Sequence, residues 1–276
     1  MRTSPARRLS CGASRAPSIL APMGTARRIR YRSPPLVEAV IEFQFVREEN
    51  WNPAFLDELR TQFPEFSREE PLHVAAVPLS NRPVGMERHH EVRRFWRGDS
   101  GMALTVGPQL VAVSALPPKM PEGHQWEHLR DIGLRACDIY MKVSAPRTIR
   151  QIGLRYINSV AINPAEFVLE TYVDPSSGYI PTSLLGERKP FSFRLERIHS
   201  VSKTQVRHEI VALAAEGDPV HGPRVLLDID EVSVPGHPIT LSSKRRIVEE
   251  MHNAVQQVFG SVIRAEVLQG FGPEER

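Results

Sequence analysis

The sequence predicts an α+β protein with a mainly antiparallel sheet and long helices on one face. Three observations lead to this class. Residues 37–45 alternate between apolar and polar side chains with the period of a strand. Residues 247–262 place apolar side chains at the spacing of one helix face. Groups of short strand-like runs precede each of two long helical segments, an order typical of an antiparallel sheet backed by helices.

The first half begins with a strand over residues 37–45 (VEAVIEFQF). Its period predicts a buried face, while Glu38, Val40, Glu42 and Gln44 share the other face. Asn52 followed by Pro53 predicts a helix start, since Asn caps well and Pro suits the first helical position. Pro64 is expected to end this helix. The buried strand face is expected to comprise Val37, Ala39, Ile41, Phe43 and Phe45.

Further strands are expected over residues 72–79, 94–97, 102–106 and 109–116. A long helix then follows over residues 124–143. Gly133 and Ala136 lie on its apolar face, and their small size predicts close packing on the sheet.

The second half repeats this order. A strand is expected over residues 148–162, a short helix over 164–169, and a loop rich in Pro, Gly and Ser over 173–190. Three strands over 191–201, 206–215 and 225–234 precede a helix capped by Ser242 or Ser243. The order suggests two copies of a β-α-β-β-β-α unit, although no residue-level repeat links them.

The domain organisation follows from composition. Residues 1–30 are expected to be a disordered basic leader, and Met23 is an alternative start. Residues 31–145 form the first α+β half and residues 146–272 the second. Residues 1–37 hold eight arginines and no acid, which leaves a formal charge of −5 for residues 38–276. The basic pI therefore belongs to the leader, and it does not argue for a nucleic-acid-binding domain.

Cysteine content and hydropathy bear on the cellular compartment. The two cysteines, Cys11 and Cys137, cannot form a disulfide framework or a cysteine-based zinc site. No run of about 18 apolar residues occurs, so no membrane span is expected. We expect a cytoplasmic protein without a membrane association.

Two polar clusters have an ordinary structural explanation. Residues 124–128 (HQWEH) match the inverted zincin pattern, but a five-residue match arises by chance and no third ligand is identifiable. A solvated helix start explains it better, and no metal or cofactor is expected. The run His89–His90–Glu91 could contact phosphate, but we expect it to be an exposed loop.

A row of carboxylates and arginines is the best candidate for a site. Asp228 and Asp230 share one face of a predicted strand, and paired carboxylates can bind Mg²⁺ or do acid–base work. Arg155 lies on a candidate neighbouring strand. The alternative is a polar sheet face that meets solvent or forms cross-strand pairs. The same alternative is preferred for Glu38 and Glu42, which are about 13 Å apart on one strand.

Four stretches resemble a sporadically distributed bacterial family of uncharacterised proteins, of the TIGR type. They are PPLVEAVIEF at 34–43, GLRYIN at 153–158, LDID at 227–230, and the helix from Met251 onward to Gly272. The resemblance covers residues 31–272 and implies a start at Met23, but it implies no known activity. Through the GLRYIN stretch it adds Asn158 to the candidate binding residues Arg155, Asp228 and Asp230. The sporadic distribution hints at toxin–antitoxin or phage-defence neighbourhoods.

Three functions remain open from the sequence. The first is a non-enzymatic binding or accessory protein, antitoxin-like or defence-like, with a protein partner. The second is a metal-dependent enzyme that uses the carboxylate and arginine face. The third is a nucleic-acid-binding protein, which the acidic body does not favour. Whether the protein is an enzyme is not decided, since no P-loop, dinucleotide-binding or G-x-S-x-G motif occurs.

Overall fold

The structure is a computed structural model of the chain. It describes residues 29–46, 52, 54–71, 92–116, 126–144, 148–163, 168–184, 191–202, 205–218, 222–233 and 239–275. The strand predicted over 72–79, the cluster at 89–91, His124 and most of the leader lie outside these residues. So do residues 164–167, where a short helix is predicted.

The described chain forms four helices and eleven strands. The strands are β1 (Ile29–Tyr31), β2 (Leu36–Phe45), β3 (Arg68–Pro71), β4 (Arg93–Trp96), β5 (Met102–Gly107), β6 (Leu110–Ala115), β7 (Ile149–Ala161), β8 (Phe191–Ser202), β9 (Gln205–Asp218), β10 (Gly222–Ser233) and β11 (Pro273–Glu275). The helices are α1 (Ala54–Gln62), α2 (Trp126–Ser144), α3 (Lys244–Val262) and α4 (Ala265–Gly270).

Nine strands build one antiparallel sheet in the order β3-β4-β5-β6-β2-β7-β10-β9-β8. The first strand of each half, β2 or β7, lies at the centre, and the two pair with each other. In each half the last strand of the meander, β6 or β10, returns to pair with that first strand. The α+β class with an antiparallel sheet is thus confirmed. The proposed duplication stays a prediction, although the two halves share this connectivity.

Helices α2 and α3 pack on one face of the sheet, called the helix face. The period of two in β2 buries Ala39, Ile41, Phe43 and Phe45 there, as predicted. Gly133 of α2 lies against Ile41 so closely that an added Cβ would come 3.3 Å from Ile41 Cδ1. The predicted close packing of α2 on the sheet is therefore confirmed, and it depends on the missing side chain.

The last long helix behaves as its pattern predicts. The residues buried on α3 include Ile247, Met251, Val255, Val258 and Val262. Ser243 stands at the N-cap, but its hydroxyl donates to the carbonyl of Thr240 at 2.9 Å instead of capping the helix. Helix α1 begins as predicted, with the Asn52 side chain accepting from the backbone N–H of Ala54 at 3.0 Å.

The N-terminal edge of the body differs from the prediction. Residues 29 and 30, assigned to the leader, belong to β1, which pairs with β11 near the C-terminus. The ring of Tyr31 contacts Phe259 at a centroid distance of 5.8 Å and Phe271 at 6.1 Å, both edge-on. The sequence did not indicate β1, because its partner lies more than 200 residues away along the chain.

Candidate functional site

The face of the sheet opposite the helices carries the predicted polar row, and it is called the far face. Side chains on a strand alternate between faces, so Leu227 and Ile229 of β10 enter the core while Asp228 and Asp230 project from the far face. The register brings the strands together at this point. Arg155 of β7 lies opposite Asp230 on one side and opposite Val40 of β2 on the other.

Arg155 and Asp228 form a two-pronged ion pair on the far face. Arg155 Nε donates to Asp228 Oδ1 at 2.8 Å, and the terminal nitrogen Nη2 donates to Oδ2 at 2.6 Å. The two side chains are 33% and 23% exposed, so the pair is partly shielded from water. This bidentate geometry is the strongest form of carboxylate recognition by arginine. The hydrogen bond to Asp228 raises the pKa of Arg155 and keeps it charged.

Asp230 is a carboxyl on the far face with a strongly shifted pKa. Burial raises the pKa of Asp230 from 3.8 to about 7; Arg155 and Arg194 oppose the rise, and Asp228 and Glu42 add to it. Within the part of the chain that the structure describes, the Asp230 carboxyl has no hydrogen bond or ion pair at bonding distance. At neutral pH this carboxyl is therefore protonated in part of the molecules and ionised in the rest.

Glu42 of β2 completes the group. Burial also raises the pKa of Glu42, while a hydrogen bond from Gln44 Nε2 at 2.6 Å and the charge of Arg155 oppose the rise. Gly153 of β7 lies opposite Glu42 in the register. The far-face site therefore consists of Arg155, Asp228, Asp230 and Glu42, with Gln44 as a supporting residue.

Asn158 does not belong to this site. Its side chain is buried on the helix face, and its amide nitrogen donates to the carbonyl of Leu227 at 3.3 Å. The reason is geometrical, because residues three apart on a strand project from opposite faces. We therefore remove Asn158 from the candidate site, whereas Arg155, Asp228 and Asp230 lie together on the far face.

The presence of Glu42 at the site differs from the prediction. Its spacing from Glu38 argued against a shared metal, and the two were assigned to solvent or to cross-strand pairs. The far-face position of Glu42 is nevertheless readable from the alternation in VEAVIEFQF. What could not be read was that β2 and β10 flank the same strand, β7.

A polar cluster on the helix face has no counterpart among the predicted sites. The ring of His252 on α3 stacks on Trp126 of α2 with centroids 4.0 Å apart and planes 6° apart. His252 Nδ1 lies 2.9 Å from the hydroxyl oxygen of Tyr156 on β7. Trp126 Nε1 donates to Glu249 at 3.3 Å. These contacts hold α2, α3 and the sheet together, so the role of this cluster is structural.

The motif at 124–128 gains no support as a metal site. His124 lies outside the described residues, and His128 Nε2 lies 3.0 Å from a guanidinium nitrogen of Arg97. No group of three or more His, Cys, Asp or Glu side chains that could hold a metal ion occurs among the described residues. On the far face, Arg155 takes up both oxygens of Asp228, so the residues present do not fit a metal ion.

The described cavities lie away from the far-face site. A cavity of about 550 Å³ is lined by Arg68, Glu69, Glu70, Trp96, Gly98 and Asp99, and another of about 260 Å³ borders α1. Trp96 Nε1 donates to Glu70, and the Arg68 guanidinium lies 5.7 Å from the Trp96 ring. Trp96 is thus engaged within the protein rather than presented for stacking on a base.

Cys137 is a buried free thiol whose pKa is raised to about 12 by burial. A thiol with so high a pKa is not a nucleophile at neutral pH. Among the described helices, none combines the length and apolar character needed to cross a lipid bilayer.

Comparison with known proteins gave no match to a family model, to a curated protein or to a solved structure. The resemblance to the TIGR-type family therefore stays a prediction that rests on the four stretches named above.

Proposed function

We propose that this chain is a non-enzymatic binding protein whose far face receives a basic segment of a protein partner. The observation that carries the proposal is the environment of Asp230 and Glu42. Two carboxyls share one partly buried region of the sheet, and burial raises the pKa of each. Asp228 already neutralises the nearest cation, Arg155.

A cation that reaches this region gains more than it would at an ordinary surface carboxylate. The carboxyls are poorly solvated, so a guanidinium or ammonium group supplies the charge compensation that water does not. An arginine side chain fits best, because its planar donors can pair with a carboxylate in two-pronged fashion, as Arg155 does with Asp228. The formal charge of −5 over residues 38–276 attracts such a partner at longer range.

Binding of a cation is expected to release protons. Asp230 must ionise to pair with a cation, and its pKa of about 7 means that part of the population is protonated at neutral pH. Affinity should therefore rise between pH 6 and pH 8. This dependence distinguishes the far-face site from surface carboxylates, which are fully ionised throughout that range.

Two observations favour a binding protein over a metal-dependent enzyme and over a nucleic-acid-binding protein. A metal-dependent enzyme needs ligands that converge on one point, but Arg155 occupies Asp228, and the pKa shifts of Asp230 and Glu42 indicate a site that suits a cationic side chain. A nucleic-acid-binding protein needs a basic surface, whereas the acids of the far-face site outnumber Arg155. The cytoplasmic location expected from the cysteine content remains part of this proposal.

The experiment uses a defined probe. A fluorescein-labelled octapeptide of alternating Arg and Ser is titrated with the full chain, and anisotropy is recorded at pH 6 and pH 8. We expect binding that tightens at pH 8. The double variant E42Q/D230N should weaken it at least tenfold and remove the pH dependence. The matched control is Glu266→Gln, which removes a charge at a side chain that is 80% exposed on α4.

Three further probes test the alternatives with the same protein. A peptide of alternating Glu and Ser should not bind, and a single-stranded oligonucleotide should not bind either. Calorimetric titration with Mg²⁺ or Mn²⁺ should give no heat that depends on Asp230. Equal affinity of the basic peptide for the wild type and for E42Q/D230N would reject the proposal. If the wild type binds the oligonucleotide or the metal ion and the variant does not, the corresponding alternative function replaces the proposed one.

A further inference from the structure

The two edges of the nine-stranded sheet differ in how they are protected. One edge is β3, which has four residues, REEP, and ends in a proline. Short length, charged side chains and proline are the devices that keep an edge strand from pairing with another chain. The other edge is β8, whose 12 residues (FSFRLERIHSVS) contain neither proline nor lysine. Among the described strands, none pairs with the outer side of β8.

An exposed apolar side chain marks the β8 edge. Ile198 is 68% exposed, although it stands within a regular strand. It projects from the far face, because its register partner His208 lies opposite Val232 of β10. The pairing of β8 with β9 is regular from Phe191 to Ser200, and the only register shift falls between Ser200 and Ser202. The β8 edge is therefore long, has no register shift from Phe191 to Ser200, and is partly apolar.

The charges on β8 are complementary to themselves. Arg194 and Glu196 lie two residues apart on the far face, on either side of Leu195, and form an ion pair at 2.9 Å within the strand. If a second β8 lies antiparallel to the first with Leu195 on a two-fold axis, Arg194 faces Glu196 of the second copy. The symmetry repeats this contact. Opposite charges directly across an antiparallel pair are stabilising, and like charges are destabilising.

We propose that β8 is a homodimer interface that joins the sheets of two copies into one continuous antiparallel sheet. In this register Ile198 lies across from Ser192 of the second copy, and Phe193 lies across from Arg197. The isologous contact has the symmetry of most soluble dimers. Backbone hydrogen bonds supply affinity, and the Arg194–Glu196 pairs select the register. Strand β8 lies two strands from β10, and although the charge of Arg194 lowers the pKa of Asp230, the pairing of two β8 strands does not depend on the proposed function.

The test uses charge reversals that only a symmetric pairing can explain. The full-length protein is measured by size-exclusion chromatography with light scattering. Wild type should be a dimer. Arg194→Glu places acids opposite acids, and Glu196→Arg places bases opposite bases, so each single variant should be a monomer. The double variant R194E/E196R restores both contacts and should be a dimer again.

A mixture of the two single variants gives the sharpest result. One chain then presents acids at both positions and the other presents bases, so every cross-strand contact is complementary and a heterodimer of twice the monomer mass should form. Circular dichroism of each variant checks that it is folded. A monomeric wild type, a dimer that survives either single reversal, or a mixture that stays monomeric would overturn the proposal. If only a foreign strand bound β8, the wild type would be monomeric.

Discussion

Arg155 lies opposite Asp230 in the sheet register, yet its guanidinium pairs with both oxygens of Asp228, two residues away on the same strand. This diagonal contact satisfies the Asp228 carboxylate, while burial raises the pKa of Asp230 to about 7. The electrostatic character of the far face therefore depends on burial as well as on that choice of partner.

Replacement of Arg155 by Met should destabilise the protein. The change leaves Asp228, Asp230 and Glu42 without their shared cation, and loss of one partner from a partly buried pair costs more than the pair contributes. We expect the free energy of unfolding to fall by about 2 kcal/mol at pH 8, measured by urea denaturation, after allowance for partial exposure. Arg150→Met, an exposed change on the same strand, should stay within about 0.5 kcal/mol of the wild type. Equal effects of the two substitutions would contradict the assignment.

The pKa of Asp230 predicts how stability depends on pH. The folded state holds this proton more tightly than the unfolded state, whose pKa is 3.8, so the contribution is complete below pH 3.8 and is lost as pH rises toward 7. Asp230→Asn cannot titrate. The wild type should therefore lose about 2 kcal/mol relative to this variant between pH 5 and pH 8. Urea denaturation at several pH values measures both profiles, and parallel profiles would show that the Asp230 pKa is ordinary.

The close approach of α2 to β2 can be tested with a matched pair of glycines. Gly133→Val adds atoms where Ile41 already lies 3.3 Å from an ideal Cβ, and overpacking of this kind costs about 2 kcal/mol. Gly260 on α3 has no neighbouring atom within 4 Å of an added Cβ. Gly260→Val should therefore be neutral or slightly stabilising, because valine forms helix better than glycine. Thermal denaturation separates the two; a similar loss in both variants would show that the loss at Gly133 does not come from packing against Ile41.

The pairing of β1 with β11 predicts different outcomes for two N-terminal deletions. A protein that begins at Met23 keeps Tyr31 and its contacts with Phe259 and Phe271, and it should melt at the wild-type temperature. A protein that begins at Pro34 lacks β1 and should melt several degrees lower. Differential scanning calorimetry of the two proteins makes the comparison. If the protein that begins at Met23 already melts at a lower temperature than the wild type, residues before Met23 contribute to stability.

Local patterns account for most of the secondary structure. The alternation in residues 37–45 places Glu42 on the far face and Ile41 in the core, and the stripe on α3 predicts its buried side without knowledge of any partner. The same rule separates Arg155 from Asn158, since an odd spacing on a strand means opposite faces. Strand β3 is not predicted because a short, charged segment has no clear period, and the six residues of α4 are too few to show one.

The sequence by itself determined which side chains share a face of each strand, the two long helices and their apolar sides, and the acidic charge of the body. These follow from the periods of 2 and 3.6 residues and from composition. Only the tertiary structure decided that β7 lies between β2 and β10, so that Arg155 meets Asp228 across 73 residues of chain. Strand order and register depend on contacts between distant segments, and no local period encodes them. The pKa of Asp230 depends on the same assembly, because burial and neighbouring charges exist only once those strands have come together.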